Sequence, residues 1–366
     1  MTLDPAAPAP EPTPRRQLVG QGLILASLLA LLMLAISPAP YVVERPGPVY
    51  DTLGTTEVDG ETTPVIDIDG ASTYPTDGRL DLLTVYLDGT RENPIDWFQV
   101  IGAWLDPRRE VVPIDLIYPE GQTEQQSDEE SDLAMQASQQ AATAAALAEL
   151  DIEVDQVVTV LQVTDGDPAE GVLEAGDEIL TIDGVPVTSD AALRATIADA
   201  GVGAALELGI RRDGAELTVT VTTAARSASD DTPIVGILPG AMFDFPFDVA
   251  IHLQDVGGPS AGMMFALGIY DTLTPGALTG GEHIAGTGTI DGKGVVGPIG
   301  GIRQKMFGAQ DAGADWFLAP EANCSEVIGH VPDGLRVLAV SNLDDAIDIV
   351  RAIGAGESTE SFPGCS

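Results

Sequence analysis

Positive charge is what this chain most lacks. Its 366 residues carry 16 Lys and Arg against 57 Asp and Glu, a formal net charge of −41. Lys293 and Lys305 are the only lysines. Phosphate backbones need clustered Lys and Arg, so nucleic acid is excluded as a partner. The acidity reads as a solvated, self-repelling surface. Cysteine is nearly absent too: Cys324 and Cys365 stand alone, with 3 histidines and no HExxH or CxxC spacing. That argues against a metal centre, and no cofactor is expected. The two cysteines can form one disulfide outside the cytoplasm or remain thiols. A Gly-x-x-x-x-Gly-Lys-Ser/Thr loop is missing as well. Gly292-Lys293-Gly294 has neither the spacing nor the hydroxyl, so no ATPase module is expected.

Long apolar runs occur once. Leu18 to Ile36 carries no charge and comes after Arg15-Arg16. It approaches the ~20 residues that span a bilayer. The flanking arginines keep the short N-terminus cytoplasmic. A small-x-small cleavage site at Ala35-Ile36-Ser37 would leave Pro38 after the cut, a poor processing substrate. The expectation is therefore a cytoplasmic tail (1–17), one transmembrane helix (18–37), and everything beyond residue 40 outside the cell membrane.

The chain is 44% hydrophobic and rich in Gly and Ala, enough for two or three globular domains. Strands are expected at Val65–Ile68, Leu80–Leu87 and 111–117, the last near an edge because of Pro113. Residues 119–131 read as a polar loop or helix lead-in. Leu133–Leu150 is a helix, Ala-rich and free of Gly and Pro, whose Leu133, Ala137, Ala141, Ala144, Ala148 stripe suggests close packing. A module at 151–226 begins with a strand at 157–163. Ser189 caps a helix through Ile197, and a hairpin turns at Asp213-Gly214. From Ile234 the pattern is α/β, with strands at 249–253, 316–318 and 335–340 and helices near 259–273, 301–312 and 342–353. The tail, 355–366, is Gly/Ser-rich and expected to be mobile.

The chemistry gathers at Gly257-Gly258-Pro259-Ser260-Ala261-Gly262. The glycines let a backbone approach, and Pro259 suits a first helical position. Amides at the helix start, with Gly258, Pro259 and Ala261 as candidates, can receive an oxyanion. Ser260 can present its hydroxyl there, or it can merely cap the helix. Lys305 lies on a helix beside Gly301, Ile302, Gly308 and Ala309. A lysine at its ordinary pKa near 10.4 is no base, but burial favours the neutral amine. A surface lysine is the plainer alternative.

These segments resemble known families. Gly166-Asp167-Pro168-Ala169, Leu173-x-x-Gly176-Asp177-x-Ile179, Asp183-Gly184 and Arg212-Asp213-Gly214 arrive in the order of a bacterial PDZ domain. Gly258-Pro259-Ser260-Ala261-Gly262, Thr287-Gly288-Thr289 and Gly297 through Lys305 resemble the proteolytic domain of Lon-like serine peptidases. The resemblance implies a Ser260–Lys305 dyad, with Thr287 either orienting the amine or serving as a plain turn residue. It implies an α+β / α/β fold: a Lon-type proteolytic domain in two parts (41–150 and 227–354), an inserted PDZ-like β-rich domain (151–226), and a preceding transmembrane helix.

One departure is Gly257, at a position where many relatives carry an acid. The nearest acid here is Asp255. The resulting expectation is an ATP-independent, membrane-anchored endopeptidase for unfolded proteins or peptides. Its PDZ-like module would take peptides between strand 157–163 and helix 189–197. A homo-oligomer is permitted, with no residue pattern specifying one. The alternatives are a catalytically inert envelope scaffold, or a Ser-His-Asp site drawing on His252, His283 or His330 with Asp255 or Asp291.

Overall fold

The computed structural model describes residues 15–58, 60–119, 123–227, 230–253 and 256–365. The chain divides into two compact units, 1–45 with 86–122, and 46–85 with 123–366. Of the expected half-domain 41–150, residues 46–85 and 123–150 fall in the larger unit. Residues 86–122 instead pack with the N-terminal segment around Ala39, Val43, Ile95, Val100 and Ala103.

In the smaller unit, helix Arg15–Ile36 is long and apolar enough to cross a membrane. Asp96 caps helix Trp97–Trp104 by accepting from the Phe98 and Gln99 amides. The strand expected over 111–117 ends early. Glu110–Pro113 pairs antiparallel with Tyr41–Glu44, and the chain then turns into the one-turn helix Ile114–Ile117. Pro113 has no N–H with which to extend the ladder.

Among the described residues the larger unit holds strands of two larger sheets and four two-stranded ones. Strands Arg336–Val340, Trp316–Pro320, His283–Gly286 and Arg79–Asp88 lie side by side and parallel. Parallel strands are covered on both faces, so they read as continuous apolar runs. Trp316–Pro320 is buried at every position. Helix Gly262–Leu273 fills the core with Met263, Met264, Phe265, Leu267 and Ile269, none of them exposed. Against it lies the long helix Glu124–Glu149, which starts nine residues before the expected Leu133. Thr123 and Gln126 form a reciprocal capping box at its start, so the acidic stretch is helical from its first cap.

The second sheet runs Ala215–Thr222, Ala205–Arg212, Glu178–Ile182, Asp155–Val163 and Ile237–Asp244. Its hairpin turns at Asp213 and Gly214, both with positive φ, as a two-residue turn requires. Ser189 caps helix Asp190–Ala200 by accepting from the Ala192 amide. The last strand corrects the expectation that everything after 227 belongs to the catalytic part. Ile237–Asp244 pairs along its length with Asp155–Val163 and is the outer strand of this sheet. Strand 157–163 is therefore interior, paired on both sides, and has no free edge for an added strand.

The C-terminal tail is also unlike the mobile segment expected. Cys365 is disulfide-bonded to Cys324, Phe362 packs on the main core, and Gly364 bridges Leu338. A covalent tie and a packed ring together hold it to the body.

Candidate active site

Ser260 sits in a 3-10 turn, Pro259–Ala261, that runs directly into helix Gly262–Leu273. Gly258 enters the turn at φ 84°, a conformation that disfavours a side chain. The long helix grips this entry twice. The Gly258 amide donates to the Ser131 carbonyl at 2.9 Å, and the Ser138 hydroxyl donates to the Pro259 carbonyl at 3.0 Å. A Cβ at Gly257 would run into the Ser131 hydroxyl. A side chain there would have to displace that hydroxyl. Asp255 lies outside the described residues.

The Ser260 carbonyl accepts from the Gly288 amide at 2.8 Å and from the Thr287 hydroxyl at 2.9 Å. These bonds join the serine turn to the end of strand His283–Gly286. Lys305 arrives from helix Ile302–Ala312, which begins after Gly301 at φ 67°. Its side chain is buried, 2% exposed. Its Nζ lies 2.7 Å from Ser260 Oγ and 3.0 Å from Thr287 Oγ1. With its proton committed to the Ser260 carbonyl, the Thr287 oxygen is left to accept from the amine. Ser260 itself is partly exposed. The serine is partly accessible while the lysine behind it is buried.

The structure therefore brings Ser260, Lys305 and Thr287 together and sorts the other candidates. Pro259 has no N–H, and the Gly258 N–H is spent on Ser131. Neither can receive an oxyanion; both shape the turn. Ser260 and Ala261 are at the start of the turn, where amides lack an intrahelical acceptor. His283 is 2.6 Å from buried Asp81. The His330 ring meets the Ile328 carbonyl, and the His252 amide bonds Val65. Asp291 accepts from the Lys293 and Val295 amides. Among the described contacts no histidine reaches Ser260. No group of side chains able to hold a metal occurs among the described residues.

Ser131, Ser138 and the segment Ile234–Ile237 carry no signal of their own in the sequence. The serines lie in a stretch whose legible feature is its helical period. A glycine-containing loop of the kind that holds a carboxylate is not evident before Val157. Ile234-Val235-Gly236-Ile237, with Gly236 at φ 79°, leads instead into the outer strand.

Residues 244–352 match the Lon protease (S16) C-terminal proteolytic domain. The Lon-type segment contains Ser260, Thr287 and Lys305. A PDZ domain is matched over residues 132–223. In the structure, residues 132–149 of that match belong to the long helix, and strand Ile237–Asp244 completes the sheet beyond it. The chain is similar to Lon protease 2 of Herpetosiphon aurantiacus, 36% identical over 110 residues, 28% of this chain and 13% of that protein. Lon protease 1 of Bacillus subtilis is 32% identical over 124 residues, covering 32% and 16%. Lon protease of Rhizobium meliloti is 29% identical over 182 residues, covering 48% and 20%. The chain thus spans a fifth or less of the length of these relatives. The crystal structure of the PDZ domain of an SdrC-like protein from Listeria monocytogenes is 29% identical, covering 22% of this chain and 85% of that one, with a TM-score of 0.21.

Proposed function

We propose that this chain is a serine endopeptidase in which Ser260 attacks a peptide carbonyl and Lys305 is the base. The observation carrying the reading is the 2.7 Å approach of Lys305 Nζ to Ser260 Oγ with the amine 2% exposed. Burial disfavours an ammonium ion, so a neutral amine is available to take the serine proton. Its lone pair faces Ser260, and one N–H remains bonded to Thr287. As the Ser260 oxygen bonds to the carbonyl carbon, the oxyanion forms near the Ser260 and Ala261 amides. The lysine then protonates the leaving amine. Water, deprotonated by the same lysine, releases the acyl group.

The wider reading is an ATP-independent, membrane-anchored enzyme with its domains outside the cytoplasm. Several features support it. Helix Arg15–Ile36 is apolar over Val19–Ile36. The same compact unit exposes Phe98, Ile101, Trp104, Leu105 and Leu116, with Leu105 81% exposed, an apolar surface suited to a bilayer. The Cys324–Cys365 disulfide fits an oxidising compartment. The PDZ-like module binds peptide by strand addition along Ile237–Asp244.

The test is casein hydrolysis by the detergent-solubilised chain. Ser260→Ala and Lys305→Ala should each abolish it, by about 10³-fold or more. Thr287→Val should lower kcat with little change in KM. Equal hydrolysis by all four proteins rejects the dyad. Absence of hydrolysis by all of them, with a cellular effect retained in Ser260→Ala, favours the scaffold.

A further inference from the structure

The lysine helix, Ile302–Ala312, starts without a side-chain cap. Its entry, residues 298–301, belongs to no strand or helix, so no ladder of backbone bonds fixes where the helix begins. Apolar packing seats it only coarsely. Ile302 and Met306, which flank the lysine in sequence, rest in a cluster with Phe317, Val327 and Leu335. Such contacts are non-directional. A helix held by them alone can slide or turn slightly with little loss of burial, while proton transfer between Lys305 and Ser260 needs a hydrogen-bond distance.

Direction comes from a residue further along the chain. Asn323 is 1% exposed. Its Oδ1 accepts from the Ile299 amide at 2.9 Å, and its Nδ2 donates to the Ile299 carbonyl at 2.9 Å. The side-chain amide thus bonds Ile299 as a neighbouring strand would. Nδ2 also donates to Glu326 Oε1 at 2.9 Å. A carboxylate oxygen accepts, so this third bond decides which end of the amide is the donor. A buried polar group with its bonds satisfied in this way is rigid. Arg303 Nε adds a tie from the helix to the Glu326 carbonyl at 3.3 Å.

Asn323 and Thr287 take their places from one strand. Trp316–Pro320 is buried at every position. The Leu318 carbonyl accepts from the Thr287 amide at 3.2 Å, and the 3-10 turn Glu321–Asn323 follows directly from Pro320. Beyond Asn323, the disulfide holds Cys324 and the buried side chain of Val327 joins the cluster under the lysine helix. The strand therefore carries two brackets. Thr287 meets the tip of Lys305 at 3.0 Å, and Asn323 holds the backbone just before its helix.

We infer that Asn323 is a positioning residue for the dyad: by clamping Ile299 to the end of strand Trp316–Pro320, it sets where the lysine helix begins and so how closely Lys305 Nζ approaches Ser260 Oγ. This rests on the peptidase reading above. Asn323 acts through the backbone and, being buried, leaves substrate binding alone. Without the clamp the apolar cluster still seats the helix, but its start is free to shift. A misplacement of about 1 Å between reacting groups costs roughly 100-fold in rate.

The experiment compares the detergent-solubilised wild type with Asn323→Ala and Asn323→Asp on labelled casein, with circular dichroism to check the fold. Asn323→Ala removes all three side-chain bonds. Asn323→Asp keeps the volume and the acceptor for the Ile299 amide but loses the donors, and it decides the matter if the alanine variant fails to fold. Values of kcat are read on the alkaline plateau, where the lysine is neutral in every protein. The expected result is a plateau kcat lower by roughly 10- to 100-fold, with KM within about twofold of the wild type. In Asn323→Ala the acid limb of the kcat profile should also move to higher pH, because an amine drawn out of its buried seat holds its proton more tightly. A plateau kcat within about twofold of the wild type, or a loss carried by KM, overturns the role given to Asn323. If the wild type cleaves in a Ser260-dependent way in that case, the peptidase reading survives. If Ser260→Ala cleaves as well as the wild type, or the wild type leaves casein intact, both fall.

Discussion

Asp271 shows how much one residue can matter away from the chemistry. It lies on the serine helix and is fully buried. Oδ1 accepts from the Leu278 amide at 2.8 Å, while Oδ2 has no partner. Burial outweighs that hydrogen bond and raises its pKa from 3.8 to about 6. The folded state therefore binds a proton that the unfolded chain releases between these values. Stability on this account falls as pH rises from about 4 to 6 and is flat above. Asp271→Asn should raise the Tm at pH 7.5, by an amount equivalent to about 1–3 kcal/mol. The gain should vanish near pH 4. A gain of equal size at both pH values in thermal melts would show that the carboxyl charge is not its cause.

Among the elements, the long helix Glu124–Glu149 matters most to the site. It contacts the serine helix and the turn before it, and it contributes Ser131 and Ser138 to the Ser260 entry. Ser138→Ala leaves the Pro259 carbonyl without that donor. It should cost about 1 kcal/mol of stability and, by letting Ser260 drift, lower kcat roughly tenfold at nearly unchanged KM. Equal kcat for variant and wild type would limit Ser138 to packing. The start of this helix is written in the sequence, since Thr123-Glu124-Gln125-Gln126 is a capping box. It is hard to read because its polar, acidic first turns carry none of the apolar period that marks Leu133 onward. Helices 262–273 and 302–312 are clearer because Pro259, Gly301 and Gly313 mark their ends.

For the whole molecule, the tail is the largest departure from expectation. Residues 355–366 look mobile by composition, yet Cys365 is joined across 41 residues to Cys324. Opening that loop gives entropy back to the unfolded chain. Cys324→Ser/Cys365→Ser together should lower stability by about 2–4 kcal/mol, read as a fall in denaturation midpoint. Dithiothreitol should reproduce it in the wild type and leave the double variant unmoved. An unchanged midpoint would mean the Phe362 contact and the Gly364 bridge hold the tail unaided.

The sequence alone determined the local conformations and the chemical repertoire: the apolar N-terminal helix, the glycine-led serine turn, the scarcity of lysine, the hairpin at Asp213-Gly214. These come from dihedral preference and side-chain period, which act over a few residues. Only the tertiary structure gave the 2.7 Å approach of Lys305 to Ser260 that the resemblance had implied, and it alone decided that Thr287 touches both, that the strand after residue 236 completes the second sheet, and that Cys324 finds Cys365. Such proximities join residues separated by tens of positions. They are set by which apolar faces bury each other, and no short-range preference encodes that choice.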